Sequence, residues 1–313
     1  MVSAPDRRVL RAAAILSIAV LLVLLLPADA WAFGPATHVF LGSHLLDATA
    51  SLPADLLALL RAHPQSFLYG SVAADISFAK KYVPAGRHCH FWHVGEEILA
   101  RAANDRLRAV AYGYLSHLAA DTIAHNFFVP RQLLLTSSTK ALGHGYWEHR
   151  LDVHLGEPHA AMTRDVVMGY DHSEADQLFD RVLSGTIFSF ETNRRIFRGM
   201  IRVQDNDRWR AAFARVRESS RWDLSDATVQ AYIGLSFDFV VDYLLRRGAS
   251  RAAALDPTGE FNLGLAKKVR RLAIREGAIA KPGVLQTLAD DFFPLPDAEL
   301  GFWARRNEAV TCS

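Results

Sequence analysis

The chain has 313 residues, half of them hydrophobic and 22% charged, which supplies a large core and excludes a disordered or fibrous chain. Thirty-five Lys and Arg stand against 33 Asp and Glu, a formal charge of +2 with His neutral, so bulk charge steers the protein to neither nucleic acid nor anionic lipid. Two Cys exclude a disulfide framework and a zinc site built mainly on thiolate, so any metal must sit on His and carboxylate.

At the N-terminus Arg7, Arg8 and Arg11 precede an apolar run from Ala12 to Leu26, followed by Pro27 and Ala28-Asp29-Ala30. A basic start, an apolar centre and a small-residue triplet form the pattern of a secretory signal. The run is shorter than the roughly 20 residues a membrane-crossing helix needs. Residues 1–30 are therefore expected to be cleaved and the mature protein to be exported, periplasmic or secreted, with no integral membrane segment. No Cys follows the run, which closes the lipoprotein route. Cleavage after Ala30 would make Trp31 the first residue, and the rival triplet Ala30-Trp31-Ala32 would begin the chain at Phe33.

Beyond the signal, apolar residues recur at helical spacing, as in Leu45, Leu46, Leu56, Leu57, Leu59 and Leu60, or Val110, Tyr114, Leu115 and Leu118. Alternating β-branched runs are nearly absent. Pro53-Ala54-Asp55 opens one helix, and Ser225-Asp226 opens another that stays apolar through Phe237, Val240, Val241 and Leu244 and stops at Arg246, Arg247 and Gly248. The predicted fold is all-α. Ser77 to Gly86 and Leu133 to Thr139 lack periodicity and read as loops.

Histidine is unevenly placed: all 13 lie between His38 and His172, and the last 141 residues have none. Residues 190–275 instead carry 17 Arg or Lys against 10 Asp or Glu. Chemistry is thus expected in residues 31–160, and residues 161–313 read as a helical extension packed on them.

The segment from Gly113 to Asn126 places His117, Asp121 and His125 at i, i+4 and i+8. Each step of four advances about 400° around a helix, so the three side chains share one face. His144 and Glu148 repeat the spacing on a second helical stretch. Upstream stand His38, Asp75 and the cluster His88-Cys89-His90-Phe91-Trp92-His93. Imidazole and carboxylate ligands without thiolate suit hydrolytic Zn²⁺, and a carboxylate between two His can bridge two ions. Paired ions would activate a shared water and clamp a phosphoryl group, so phosphoester hydrolysis is the natural use.

The order Trp31, His38, Asp75, His90-Phe91-Trp92, His117, Asp121, His125, His144, Glu148 resembles the zinc-dependent phospholipase C family, whose multi-helical fold is shared with the S1/P1-type nucleases. That resemblance implies two to three zinc ions and a mature N-terminal Trp that binds metal through its amino nitrogen and carbonyl oxygen. Carried over, Asp75, His90, His117 and Asp121 would hold one zinc; Trp31, His38 and Asp121 a second; His125, His144 and Glu148 a third. Asp75 would also serve as the general base toward the attacking water. His88 and His93 stand as alternatives to His90, which is preferred because it heads the His-Phe-aromatic sequence. Asp121 and His125 are closer in sequence than in the secreted phospholipases, and the interval from Trp31 to His38 is nearer that of the nucleases. The resemblance points to a phospholipid phosphodiester as substrate, with nucleic acid as the alternative; a non-catalytic, zinc-containing exported binding protein is the further rival.

Other polar residues have plainer readings. His44 and His63 read as surface or capping residues, and His149, His154, His159 and His172 as solvated or supporting the ligands. Asp152 or Glu97 could accept from a metal-bound imidazole. Cys89 would point away from its His neighbours in an extended segment, and pairing with Cys312 has no support beyond compartment. The stretch Arg194 to Arg221 fits a solvated helix face, with Ile196, Phe197, Met200 and Ile201 opposite. Phe127 and Phe128 read as core.

Overall fold

The computed structural model describes residues 33–48, 51–78, 82–136, 140–183, 188–204, 206–220, 222–278, 281, 283–296 and 300–307. All regular structure among them is helical, so the fold is all-α. In chain order the helices are α1 (Pro35–Asp47), α2 (Ala54–Ala62), α3 (Pro64–Ala73), α4 (Trp92–Ala100) and α5 (Asp105–Ile123). A π-helical turn, Ala124–Phe128, leads into α6 (Val129–Thr136) and α7 (Lys140–Leu155), then α8 (Glu157–Met168), α9 (Ser173–Val182) and α10 (Phe190–Gln204). The series closes with α11 (Asp207–Ser219), α12 (Asp226–Arg246), α13 (Glu260–Arg275), α14 (Val284–Phe292) and the short α15 (Phe302–Arg305).

The central element is α5. Asn104 caps it, accepting from Leu107 N at 2.9 Å, and Asp105 lies in its first turn, where a negative charge suits the helix dipole. From Ala109 to Ile123 all but Tyr112 is buried, because α3 and α12 pack against it. A helix apolar on nearly every side belongs inside a bundle. Ser225 caps α12 in the same way, accepting from Thr228 N at 3.2 Å.

The approach of α3 to α5 is close because a glycine faces backbone on each side. A Cβ on Gly70 would lie 2.0 Å from Val110 O, and a Cβ on Gly113 would lie 2.0 Å from Phe67 O. Backbone cannot swing aside as a side-chain tip can, so only glycine fits this crossing.

Three local readings change. Leu133–Thr136 belongs to α6 rather than to a loop, since Val129, Pro130, Gln132, Leu133 and Leu134 bury a helical face. His172 is a core residue, not a solvated one: it stacks on Tyr69 with ring centroids 3.6 Å apart, and its Nε2 lies 2.6 Å from Val166 O. His149 is half-buried with its ring edge-on to Phe213 at 4.1 Å, whereas His154 is exposed beside Asp226 at 2.9 Å. The basic stretch agrees with its reading: α10 buries Phe197 and Ile201, and its Arg194 and Arg195 pair with Asp176 and Glu191.

Gly113→Ala should destabilise the fold by about 1–3 kcal/mol or more through overpacking against Phe67 O, measured by denaturant unfolding. The control is Gly199→Ala in α10, where an added Cβ meets nothing within 4 Å; it should raise stability by up to about 1 kcal/mol through helix propensity. Equal responses would contradict the close crossing.

Candidate metal centre

Five buried side chains from four parts of the chain converge beside α5. His117 and Asp121 come from α5 itself, His38 from α1, Asp75 from the 3₁₀ turn that follows α3, and His90 from the turn before α4. Asp121 is the hub: its Oδ2 lies 3.0 Å from His90 Nε2 and 3.1 Å from His117 Nε2, and its Oδ1 lies 3.3 Å from His38 Nε2. Asp75 Oδ1 closes the group at 3.5 Å from His90 Nε2 and 3.9 Å from His117 Nε2. The His38 and His117 rings stack at 3.9 Å.

The orientation of these rings tests whether a cation fits. His117 Nδ1 lies 2.9 Å from Ser71 O, a carbonyl that can only accept, so the ring donates there and its Nε2 in the neutral form carries a lone pair. That lone pair points at the Asp121 carboxylate, and His90 Nε2 lies 3.1 Å away. His38 Nε2 and both Asp121 oxygens are buried without a hydrogen bond of regular geometry. Acceptors facing acceptors in a dry interior are costly unless a cation lies between them. The donor set, imidazole nitrogen and carboxylate oxygen without thiolate, suits zinc.

Electrostatics agree. Burial opposes ionisation of Asp121, yet the imidazoles of His117, His38 and His90 hold its carboxyl well below the usual range. Burial, and then the charge of His117, lowers His38. Burial thus favours the neutral, metal-ligating form of His38.

A second group adjoins the first. His125 sits on the π turn, its Nδ1 donating to Pro257 O at 2.5 Å, and burial draws its pKa down to about 4. His144 Nε2 and Glu148 Oε1 lie 2.7 Å apart on α7, and the His125 and His144 rings meet nearly at right angles at 5.3 Å. In each of the sets His38/Asp75/His117, His90/His117/Asp121 and His125/His144/Glu148, one ligand atom per residue lies within 4.8 Å of the others, so each could hold an ion. His125 was expected to continue the α-helical face of His117 and Asp121; the π turn instead re-aims it toward α7. Such bulges recur at functional sites.

Of the three His before α4, His90 reaches the cluster. His93 Nε2 turns to Gly86 O at 2.7 Å, and His88 Nδ1 receives His90 N at 3.1 Å. Cys89 is not directed away as an extended segment would place it: the chain turns here, and Cys89 Sγ lies 3.3 Å from His90 Nδ1, with His88, Cys89 and His90 forming a further group of close donors. Trp31 and the signal segment lie outside the described residues, as does Cys312.

The supports differ from those anticipated. Asp152 accepts from Ala36 N at 3.1 Å, Thr37 N at 2.9 Å and Thr37 Oγ1 at 2.6 Å, so it fixes the start of α1 and through it His38, rather than a metal-bound ring. Gly34 makes room, since a Cβ there would sit 2.0 Å from Asp152 Oδ2. Glu97 pairs instead with Arg87 and Arg101, each at 2.7 Å. The carbonyls of Ser71 and Pro257 have no sequence signature and were missed. Asp152, which continues the four-residue steps of His144 and Glu148, is legible in sequence as a support, though for a metal-bound ring rather than for the start of α1. A separate cavity of about 220 Å³ opens behind α1, lined in part by Pro35, Ala36, Asp152 and Phe213, and none of the candidate ligands lines it.

The model of one protein family, described as zinc dependent phospholipase C, matches residues 37–190. That span contains every candidate ligand except Trp31. No curated protein and no solved structure gives a significant match.

His149 offers a check on the packing of α7. Burial pulls its ring down to about 4, whereas an unfolded chain protonates near the ordinary 6.5 or so. Between those values the unfolded state binds more protons, so this contribution is full above about pH 6.5 and is lost as pH falls toward 4. His149→Phe should flatten that part of the stability curve in pH-dependent melts; an unchanged slope would contradict the burial.

Proposed function

Through residues 37–190 the chain belongs to the zinc dependent phospholipase C family, and on that premise we propose an exported hydrolase that cleaves the phosphodiester of a phospholipid. Family membership suggests phosphodiesterase activity, and export rests on the N-terminal pattern. The observation that carries the proposal is the convergence on Asp121 of the Nε2 atoms of His38, His90 and His117, with Asp75 across from two of them.

Asp121 offers one oxygen toward His38 and the other toward His90 and His117, the arrangement of a bridging carboxylate. Asp75, His90, His117 and Asp121 would hold one zinc, His38 and Asp121 with the Trp31 terminus a second, and His125, His144 and Glu148 a third. Zinc supplies an acidified water and a positive clamp on the phosphoryl oxygens. Ser71 O and Pro257 O fix the rings of His117 and His125 so that one nitrogen of each faces the site. Asp75 takes the proton of the attacking water as general base. Burial of the cluster excludes bulk solvent and strengthens each of these interactions.

Three arginines of α10 and α11 are already engaged by carboxylates, Arg194 by Asp176, Arg195 by Glu191 and Arg210 by Glu157 and Asp207, which weakens the case for nucleic acid as substrate.

The test is parallel turnover of phosphatidylcholine and single-stranded nucleic acid by the exported, processed protein. The wild type should release diacylglycerol or phosphatidate from the lipid and leave the nucleic acid intact. Asp75→Asn should lower kcat by about 10²–10⁴, the span of general-base catalysis, with unchanged circular dichroism, and His117→Ala should abolish turnover. An unaffected His117→Ala rate would contradict the site, and nucleic-acid cleavage alone would overturn the substrate.

A further inference from the structure

We propose that the outward face of α13 seats the protein on an anionic lipid surface beside the metal centre. Phe261, Leu265, Lys268, Leu272 and Arg275 fall at i, i+4, i+7, i+11 and i+14 of this helix, a spacing that keeps them within a narrow stripe. Phe261 is 78% exposed and Leu272 53%, while the helix packs inward through Ala266, Val269, Arg270 and Ala273. Large apolar groups this exposed, flanking a half-buried Leu265 on a helix that packs inward through another side, mark an unpartnered contact surface.

Charge selects the partner. Lys268, Arg271 and Arg275 stand exposed on or beside the stripe, and no carboxylate among the described residues pairs with them. Apolar side chains flanked by free Lys and Arg are the arrangement by which a helix lies in the headgroup region of an anionic bilayer. The near balance of charge over the whole chain hides this local excess. The neighbouring α14 packs on α13 and leaves Phe292 exposed, while its Asp290 is engaged by Arg131.

Position connects the face to the chemistry. Gly259, which precedes α13 in a left-handed conformation at φ 55°, lies so near the π turn that a Cβ would sit 2.4 Å from His125 Cβ. Asn262 Nδ2 donates to Asn126 Oδ1 at 2.9 Å. The first turn of α13, with Phe261, is thus fixed against the residues that carry His125. A bilayer under this face would bring headgroups to the edge of the candidate centre. The inference rests on the phospholipid reading for its purpose but not for its measurement.

The experiment is co-sedimentation of the exported, processed protein with vesicles of phosphatidylcholine and phosphatidylglycerol at about 7:3, against pure phosphatidylcholine, over a salt series. The wild type should bind the mixed vesicles more tightly and lose binding as salt rises. Phe261→Ser with Leu272→Ser, and separately Lys268→Glu with Arg271→Glu and Arg275→Glu, should each lower partitioning by about tenfold or more. Both variants should hydrolyse a short-chain phosphatidylcholine below its micelle concentration at the wild-type rate. Equal partitioning of wild type and variants, no binding by the wild type, or a wild-type dimer broken by the serine variant would each overturn the proposal. Selective loss of vesicle binding with no hydrolysis by any form would uphold the docking face and sink the phospholipase reading.

Discussion

The reciprocal glycine contact between α3 and α5 is the constraint on which the site depends. Gly70 and Gly113 let the two backbones approach until carbonyl oxygens fill the space of absent methyl groups. Only at that separation can Ser71 O, on α3, reach His117 Nδ1, on α5. The 3₁₀ turn that ends α3 then delivers Asp75 opposite the same imidazole. One helix crossing thereby sets a ligand, its orienting acceptor and the candidate base. Close-packed interiors transmit such shifts rather than absorb them.

The second half of the chain completes this arrangement. Beyond packing α12 on α5, it supplies the carbonyls of Asp256 and Pro257, which receive Asn126 Nδ2 at 2.8 Å and His125 Nδ1 at 2.5 Å. Trp92, two residues after His90, donates to Leu255 O at 2.9 Å and stacks on Tyr243 at 4.1 Å. The family match ends at residue 190, yet Leu255, Asp256, Pro257, Gly259 and Asn262 touch both flanks of the site. The tail is thus a support of the centre as well as a surface.

What could be read from sequence follows from which groups leave a pattern. Helical periodicity and capping residues made the all-α fold legible, and the four-residue steps of His117 with Asp121 and of His144 with Glu148 carry over into the structure as shared faces. His125 obeyed the same arithmetic but sits on a π turn, which no spacing rule announces. Leu133–Thr136 read as a loop because its helix is short, leaving too few turns to show a period. His172 gave no hint of its stacking on Tyr69, a long-range contact. Main-chain carbonyls that set the imidazole tautomers are invisible in sequence, since any residue can provide one. The exposure of Phe261 was equally hidden, since it depends on which side of its helix faces the rest of the protein.

The central claim is that the buried His and carboxylate atoms around Asp121 form a multinuclear zinc site. Its most direct test is zinc per chain, by elemental analysis, on protein exported, processed and purified without added chelator. The account predicts two to three ions per chain, falling by at least one in Asp121→Asn that remains folded. Zinc at one ion per chain or fewer, or a content unchanged by that substitution, would contradict it.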